Sequence, residues 1–108
     1  MIVKVLDILH SDNGKGKYRE SKVGAKYEYR KNKLYTVDFN ELMPWGGLEM
    51  LEVRQGTVIG GKEDVDIYMP IGGGVWTTEY EGHKEVDGKL EIYTWNSIYV
   101  CEVIDEHN

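Results

Sequence analysis

The sequence predicts an all-β fold, either a small SH3-like barrel or a compact β-sandwich of six to eight short antiparallel strands, in a single domain over residues 1–108. The chain contains eight tyrosines and three tryptophans, and aromatic residues favour strands. Short alternating apolar and polar runs recur between glycine-containing breaks, which is typical of small barrels and sandwiches. No segment shows a sustained helical period.

The sequence pattern of the first third of the chain predicts a strand, a loop and a hairpin. Residues 2–9 are rich in β-branched side chains, which favours an opening strand, although Ile2, Leu6 and Leu9 could also line one helix face. Residues 10–22 are polar and contain glycine, which indicates a basic loop. Two alternating runs, 26–29 and 34–39, flank a polar turn and predict a hairpin. Alternation in its second strand would turn three side chains toward the core: Tyr35, Val37 and Phe39.

The middle of the chain is divided by glycine and proline. Residues 43–47 form a break, and residues 48–53 resume as either a strand or a short helical turn. Gly60-Gly61 predicts another turn. Residues 65–69 alternate as a strand, and the segment 70–74, "PIGGG", predicts a loop.

The C-terminal third predicts a strand at 75–78, a tight turn at Asp87-Gly88, and closing strands at 90–94 and 98–104. Between the closing strands lies Trp95-Asn96-Ser97, which we interpret as a turn because Asn and Ser bond nearby backbone groups.

This C-terminal third resembles small uncharacterised bacterial and phage β-rich proteins that end in a "T-x-N-S-x-Y" strand-turn-strand segment. The resemblance covers residues 76–78, 86–90 and 94–99, the last of these being "TWNSIY". It implies a phage or mobile-element origin and carries over no catalytic residue.

Charge is distributed unevenly along the chain. The net charge is −6, with +5 in residues 1–35 and −11 in residues 36–108. Such asymmetry suggests an interaction surface, unless folding pairs the two halves across strands.

Cys101 is the only cysteine and lies in an apolar strand, so we expect a buried side chain. Without a visible signal peptide or a membrane-spanning apolar run, the expected location is cytoplasmic.

The sequence offers no recognisable catalytic arrangement. The three histidines and Cys101 lack metal-ligand spacing. The acids at 63, 64 and 66 form the densest cluster, which we interpret as a solvated face. Gly72-Gly73-Gly74 could present backbone N–H groups to an anion, but we interpret it as a flexible turn. We therefore expect no enzyme activity, no cofactor and no metal.

The main functional hypothesis is non-catalytic binding of a protein partner through an acidic β face, which would suit a basic partner. A phage nuclease inhibitor or anti-CRISPR-like protein would act in this way. Exposed tryptophans would serve as anchors, with core packing as their alternative role. The candidate residues are Asp64, Asp66, Trp76, Glu79, Glu81, Glu85 and Trp95.

Two further hypotheses remain open. Residues 15–33 are basic and contain tyrosines, a combination that can bind single-stranded nucleic acid by phosphate contacts and stacking. The sequence pI of about 5.0 makes this the less favoured hypothesis. Its candidate residues are Lys15, Lys17, Tyr18, Arg19, Lys22 and Lys26. The third hypothesis is a structural or assembly role through an exposed edge strand.

Overall fold

A computed structural model describes residues 1–10 and 28–106, which form a closed antiparallel barrel of six strands. The strands follow one another around the barrel in sequence order, and β1 closes it by pairing with β6. The all-β prediction is confirmed, with the barrel as its form. The strands are β1 (Ile2–His10), β2 (Leu34–Thr36), β3 (Gly47–Ile59), β4 (Lys62–Val86), β5 (Lys89–Thr94) and β6 (Ser97–Asp105), and a 3-10 helix (Glu28–Arg30) precedes β2.

The core lies inside the barrel and receives alternate residues from the strands. Successive side chains of a strand point to opposite faces, so Leu48 and Met50 of β3 are buried while Glu49 between them faces outward. The predicted alternation at Tyr35, Val37 and Phe39 is confirmed, with Phe39 partly buried against the cluster. The other members of the core cluster are Val3, Val5, Ile8, Val75, Leu90, Ile92, Tyr99 and Cys101.

Two tight turns shape the C-terminal half of the barrel as the sequence predicts. Asp87 and Gly88 both have positive φ, 52° and 77°, which is the backbone that a two-residue hairpin turn requires. Between β5 and β6, the hydroxyl of Thr94 donates to the carbonyl oxygen of Ser97 at 3.0 Å. The interpretation of Trp95-Asn96-Ser97 as a turn therefore agrees with the structure, although Ser97 is already the first residue of β6.

The β3–β4 hairpin extends well beyond the barrel. The described strands β3 and β4 have no partner but each other between residues 54 and 69, and this projecting hairpin lengthens the molecule, which measures 51 × 28 × 27 Å. Residues 47–59 form a strand throughout, which settles the open choice at residues 48–53. The pairing of β4 with β3 ends at Glu79, and β4 then pairs with β5 from Tyr80 to Val86.

The predicted loop at residues 70–74 is wrong, since this segment lies within β4. Pro70 pairs with Val53 and Gly74 pairs with Leu51, so three residues of β4 face the single residue Glu52. The proline and glycines therefore produce a β-bulge inside a strand and not a loop. Among the described residues this part of β4 pairs with β3 alone, so it is an edge of the sheet. Proline is tolerated in an edge strand, although it lacks a backbone N–H to donate.

The predicted hairpin before β2 also differs from the structure. Residues 28–30 form a 3-10 helix, and Lys26 and Tyr27 lie outside the described residues, as does the predicted loop from residue 11 onward. The turn that follows is held by the backbone N–H of Asn32, which donates to the carbonyl oxygen of Val5 at 2.7 Å. In the described ranges we find no helix with the length and apolar character needed to cross a membrane.

Candidate protein-binding surface

All three tryptophans are tied to one short stretch of β4, residues 76–80. Trp76 belongs to the stretch, and the indole N–H of Trp45 donates to the carbonyl oxygen of Thr77 at 2.9 Å. The backbone N–H of Trp95 donates to the carbonyl oxygen of Glu79 at 2.9 Å. Their side chains remain exposed, at 66% for Trp76, 47% for Trp45 and 39% for Trp95. We call Trp45, Glu49, Trp76, Glu79 and Trp95 the tryptophan surface.

The two glycines after Trp45 allow this arrangement. Gly46 has φ of +88°, and its carbonyl oxygen accepts the backbone N–H of Tyr80 at 2.9 Å. A Cβ atom on Gly47 would collide with the carbonyl oxygen of Thr77 and with the Trp45 ring. The absence of side chains therefore lets the chain before β3 lie directly on β4, and the Trp45 ring comes to 5.9 Å from that of Trp76.

Two carboxylates lie among the tryptophans. Oε2 of Glu49 accepts the indole N–H of Trp76 at 2.9 Å. Glu79 passes close to Gly46, since a Cβ atom built there would lie 3.3 Å from Cγ of Glu79. Large aromatic faces next to negative charges are suited to binding cationic groups, by cation–π contact and by charge pairing.

A groove of about 540 Å³ adjoins the tryptophan surface on the outer face of β3 and β4. Trp76 and Glu49 line it together with Gly72, Gly73 and Gly74 of β4, and we call these three glycines its floor. A second hollow of about 640 Å³ shares Glu49 and Leu51 with it and extends toward Leu42 and Met43. We call the first hollow the glycine groove; its lining residues are Glu49, Leu51, Glu52, Pro70, Gly72, Gly73, Gly74 and Trp76.

The seven predicted protein-binding residues do not form one continuous face. Trp76, Glu79 and Glu81 follow one another within six residues of β4, and the backbone of Trp95 is hydrogen-bonded to that of Glu79. Glu85 lies opposite Leu90, beside the turn between β4 and β5.

Asp64 and Asp66 lie on the projecting part of the β3–β4 hairpin. Twelve residues of strand separate Asp64 from Trp76, a contour length of roughly 40 Å. The hairpin therefore carries these two acids away from the tryptophan surface.

Several members of the surface and groove were not singled out from the sequence. The sequence predicts Trp45 only as a general anchor and does not predict Glu49, Leu51 or Glu52 as binding residues. The alternation of residues 48–51 was the available signal, because it places Glu49 and Leu51 on the face opposite the buried Leu48 and Met50.

The basic segment of the nucleic-acid hypothesis is described only in part. Its candidate residues, Lys15, Lys17, Tyr18, Arg19, Lys22 and Lys26, lie outside the described residues. In the part that the structure describes, residues 28–33, Nζ of Lys31 lies 3.0 Å from a carboxylate oxygen of Glu28 and 3.2 Å from one of Asp7. Hydrogen bonds to Glu28 and then Asp7 raise the pKa of Lys31. Lys33 lies 3.5 Å from Glu52, so both lysines already face carboxylates.

Two other chemically notable groups serve packing. The hydroxyl of Tyr80 hydrogen-bonds with Nδ1 of His83, and Phe39 stacks on the His83 ring with centroids 3.9 Å apart. Burial raises the pKa of Tyr80.

Burial also raises the pKa of the Cys101 thiol to about 12, which agrees with the expected buried side chain. Across residues 1–10 and 28–106, no three His, Cys, Asp or Glu side chains are grouped as metal ligands.

Comparison of the chain with protein-family models, curated proteins and solved structures found no match.

Proposed function

We propose that this protein is a non-catalytic binding domain whose tryptophan surface binds a basic region of a protein partner. The observation that carries the proposal is the exposure of all three tryptophans around one stretch of β4. Tryptophan is the residue type most enriched where binding energy concentrates in protein interfaces, because its large ring removes much apolar surface from water. The exposed part of each ring is apolar surface that packing within the barrel leaves available to a partner.

Charge supports a basic partner. Residues 36–108, which contain the whole tryptophan surface, carry a net charge of −11. Glu49 and Glu79 place part of that charge among the aromatic rings. Such a field accelerates encounter with a positively charged surface and makes binding depend on salt. The DNA-binding face of a bacterial nuclease is one such surface, and a phage or mobile-element inhibitor acting in the cytoplasm would occupy it.

An assembly role is the second candidate, and it rests on the free edge of β4. Within the described residues, β4 has no second strand beside residues 62–79. Edge strands can pair with another copy of the chain. Pro70 and the bulge at residues 71–73 interrupt this edge, and Glu63, Asp64 and Asp66 would repel their counterparts in a second copy.

Affinity capture with matched variants tests the proposal. The immobilised protein is exposed to nuclease-treated bacterial lysate at about 0.15 M salt and again at about 0.5 M. The variants are Trp76→Ala and Glu79→Lys, with Val58→Ala and Glu85→Lys as matched controls elsewhere on the exposed surface. We expect the same protein to bind the wild type and both controls, and to be lost with Trp76→Ala, with Glu79→Lys and at the higher salt.

Three results would overturn the proposal. Capture that is equal for Trp76→Ala and wild type would exclude the tryptophan surface. Recovery of nucleic acid when nuclease is omitted, with no protein retained after treatment, would favour the basic segment. Recovery of the protein alone, with a mass in solution that is a multiple of 12.4 kDa, would favour assembly.

A further inference from the structure

We infer that the glycine groove receives an arginine side chain from an extended basic segment of the partner, lying across Gly73 between Glu49 and Glu52. This inference rests on the proposed function and names the chemistry recognised there. It follows from the glycines of the floor, from the carboxylates at the sides and from the hollow that continues the groove.

Gly73 is a glycine that the fold does not require. Gly72 has φ of +83°, and a Cβ atom on Gly74 would collide with the carbonyl oxygen of Met50, so the backbone explains both. At Gly73 φ is outside the left-handed region, and a Cβ atom would meet only Oε2 of Glu52, at 3.9 Å. Glycine weakens a strand because it gains no packing and loses more backbone entropy than other residues. An open floor for a ligand explains its presence there.

Two carboxylates define what the open floor would accept. Oε1 of Glu52 lies 3.5 Å from Nζ of Lys33, while Oε2 is the atom nearest to the floor at Gly73. Glu49 is held on the Trp76 side by its hydrogen bond with the indole N–H. Among the described residues, the charged side chains that line the groove are Glu49 and Glu52, and Lys33 pairs with Oε1 of Glu52 from outside the lining. Two carboxylates against one lysine leave a net negative charge, which complements a cation.

Arginine fits this site better than lysine. A guanidinium is planar, donates in fixed directions to carboxylates and stacks on aromatic rings. The glycines of the floor, which carry no side chains, leave room for that planar group beside the exposed Trp76 ring. Leu51, which is 41% exposed, offers an apolar contact for the methylene groups of the side chain.

The neighbouring hollow indicates that the arginine belongs to an extended chain. It shares Glu49 and Leu51 with the glycine groove and continues past Met1, Leu42 and Met43. An extended segment crossing Leu51 would place one side chain in each hollow, since alternate residues of an extended strand point the same way.

The test is an NMR titration of the full ¹⁵N-labelled chain with acetyl-Gly-Gly-Arg-Gly-Gly-amide. Matched peptides carry lysine, or citrulline as a neutral analogue of arginine, in the central position. We expect saturable shifts of the backbone amides of residues 72–74 and of the Trp76 indole N–H. Affinity should fall by about tenfold with citrulline, the size of one lost charge-assisted contact, and by less with lysine.

Two variants assign the shifts to the groove. Gly73→Val fills the floor at a position where a side chain fits, and should abolish the shifts while the remaining spectrum stays that of the folded barrel. Glu49→Gln combined with Glu52→Gln removes two charges and should weaken binding. Glu85→Gln combined with Glu102→Gln removes the same charge elsewhere and should not.

Some outcomes would overturn this inference alone. Equal affinity for the arginine and citrulline peptides would exclude a cation site, and unchanged binding by Gly73→Val would exclude the groove. If the captured partner still requires Trp76 and Glu79 but tolerates Gly73→Val, the proposed function stands and the groove inference fails. If neither variant set affects the partner, both fail.

Discussion

The indole N–H of Trp76 on β4 donates to Oε2 of Glu49 on β3, and the two atoms lie 2.9 Å apart. These residues are direct cross-strand partners in the register of the two strands, so their side chains leave the sheet side by side. The bond holds an aromatic ring that is 66% exposed. A ring fixed before binding loses less conformational entropy when a partner covers it, which strengthens binding.

Removal of that acceptor should release the ring without unfolding the barrel. In Glu49→Ala we expect an upfield shift and faster solvent exchange of the Trp76 indole N–H. The free energy of unfolding should change by about 1 kcal/mol or less, because both groups can bond water instead. NMR and urea denaturation measure the two effects. Glu102→Ala, at an exposed position on β6, is the control, and an unaltered indole signal in Glu49→Ala would contradict the bond.

The hydroxyl of Thr77 should contribute measurably to stability. It is buried, accepts the backbone N–H of Leu48 at 2.9 Å and donates to the carbonyl oxygen of Thr78 at 2.7 Å. Thr77→Val leaves the N–H of Leu48 without this acceptor and should lower the free energy of unfolding by about 1–3 kcal/mol. Thr36→Val, half-buried on β2, is the matched substitution in urea denaturation. Equal losses for the two variants would mean that the hydroxyl of Thr77 has no special role.

Replacing Gly73 or Gly74 of β4 with alanine should change the stability of the barrel in different ways. Gly74→Ala would push a methyl group into the carbonyl oxygen of Met50 and should destabilise the barrel by about 1–3 kcal/mol. Gly73→Ala meets no such obstacle and should be neutral or stabilising by up to about 1 kcal/mol. Chemical denaturation of both variants tests this contrast. If Gly73→Ala were as damaging as Gly74→Ala, the fold would require glycine at both positions.

The bulge in β4 is a feature that local sequence patterns do not predict. The turn at Asp87-Gly88 was predictable because adjacent residues alone determine its backbone. The segment "PIGGG" has the composition of a loop, yet its pairing with Val53 and Leu51 keeps it within β4. That pairing depends on residues about twenty positions away, which local composition does not reveal.

Prediction of the candidate site had a similar limit. Trp76 and Glu79 could be proposed from β4 alone, and Trp95 from its turn. Trp45 and Glu49 join them only through the register of β3 on β4, which shifts at three places along the hairpin. A slip of one residue turns every side chain of a strand to the opposite face, so unrecognised bulges hide which residues meet.

Cys101 should make the stability of the barrel sensitive to alkaline pH. Burial raises the pKa of its thiol from 9.0 to about 12. Above pH 9 the unfolded chain loses this proton while the folded chain retains it, so the free energy of unfolding falls as pH rises toward 12. This stabilisation is complete below pH 9, and about 3 kcal/mol of it should be lost by about pH 11. Urea denaturation between pH 8 and about pH 11 measures the slope.

Cys101→Ala provides the comparison, because it removes the thiol and retains every other titrating group. Its free energy of unfolding should be lower at pH 8, owing to the lost packing of a side chain that is 0% exposed, and should fall less steeply as pH rises. The two curves should therefore converge at alkaline pH. Parallel curves would show that the thiol ionises as readily in the folded barrel as in the unfolded chain, and would contradict its burial between β1 and β5.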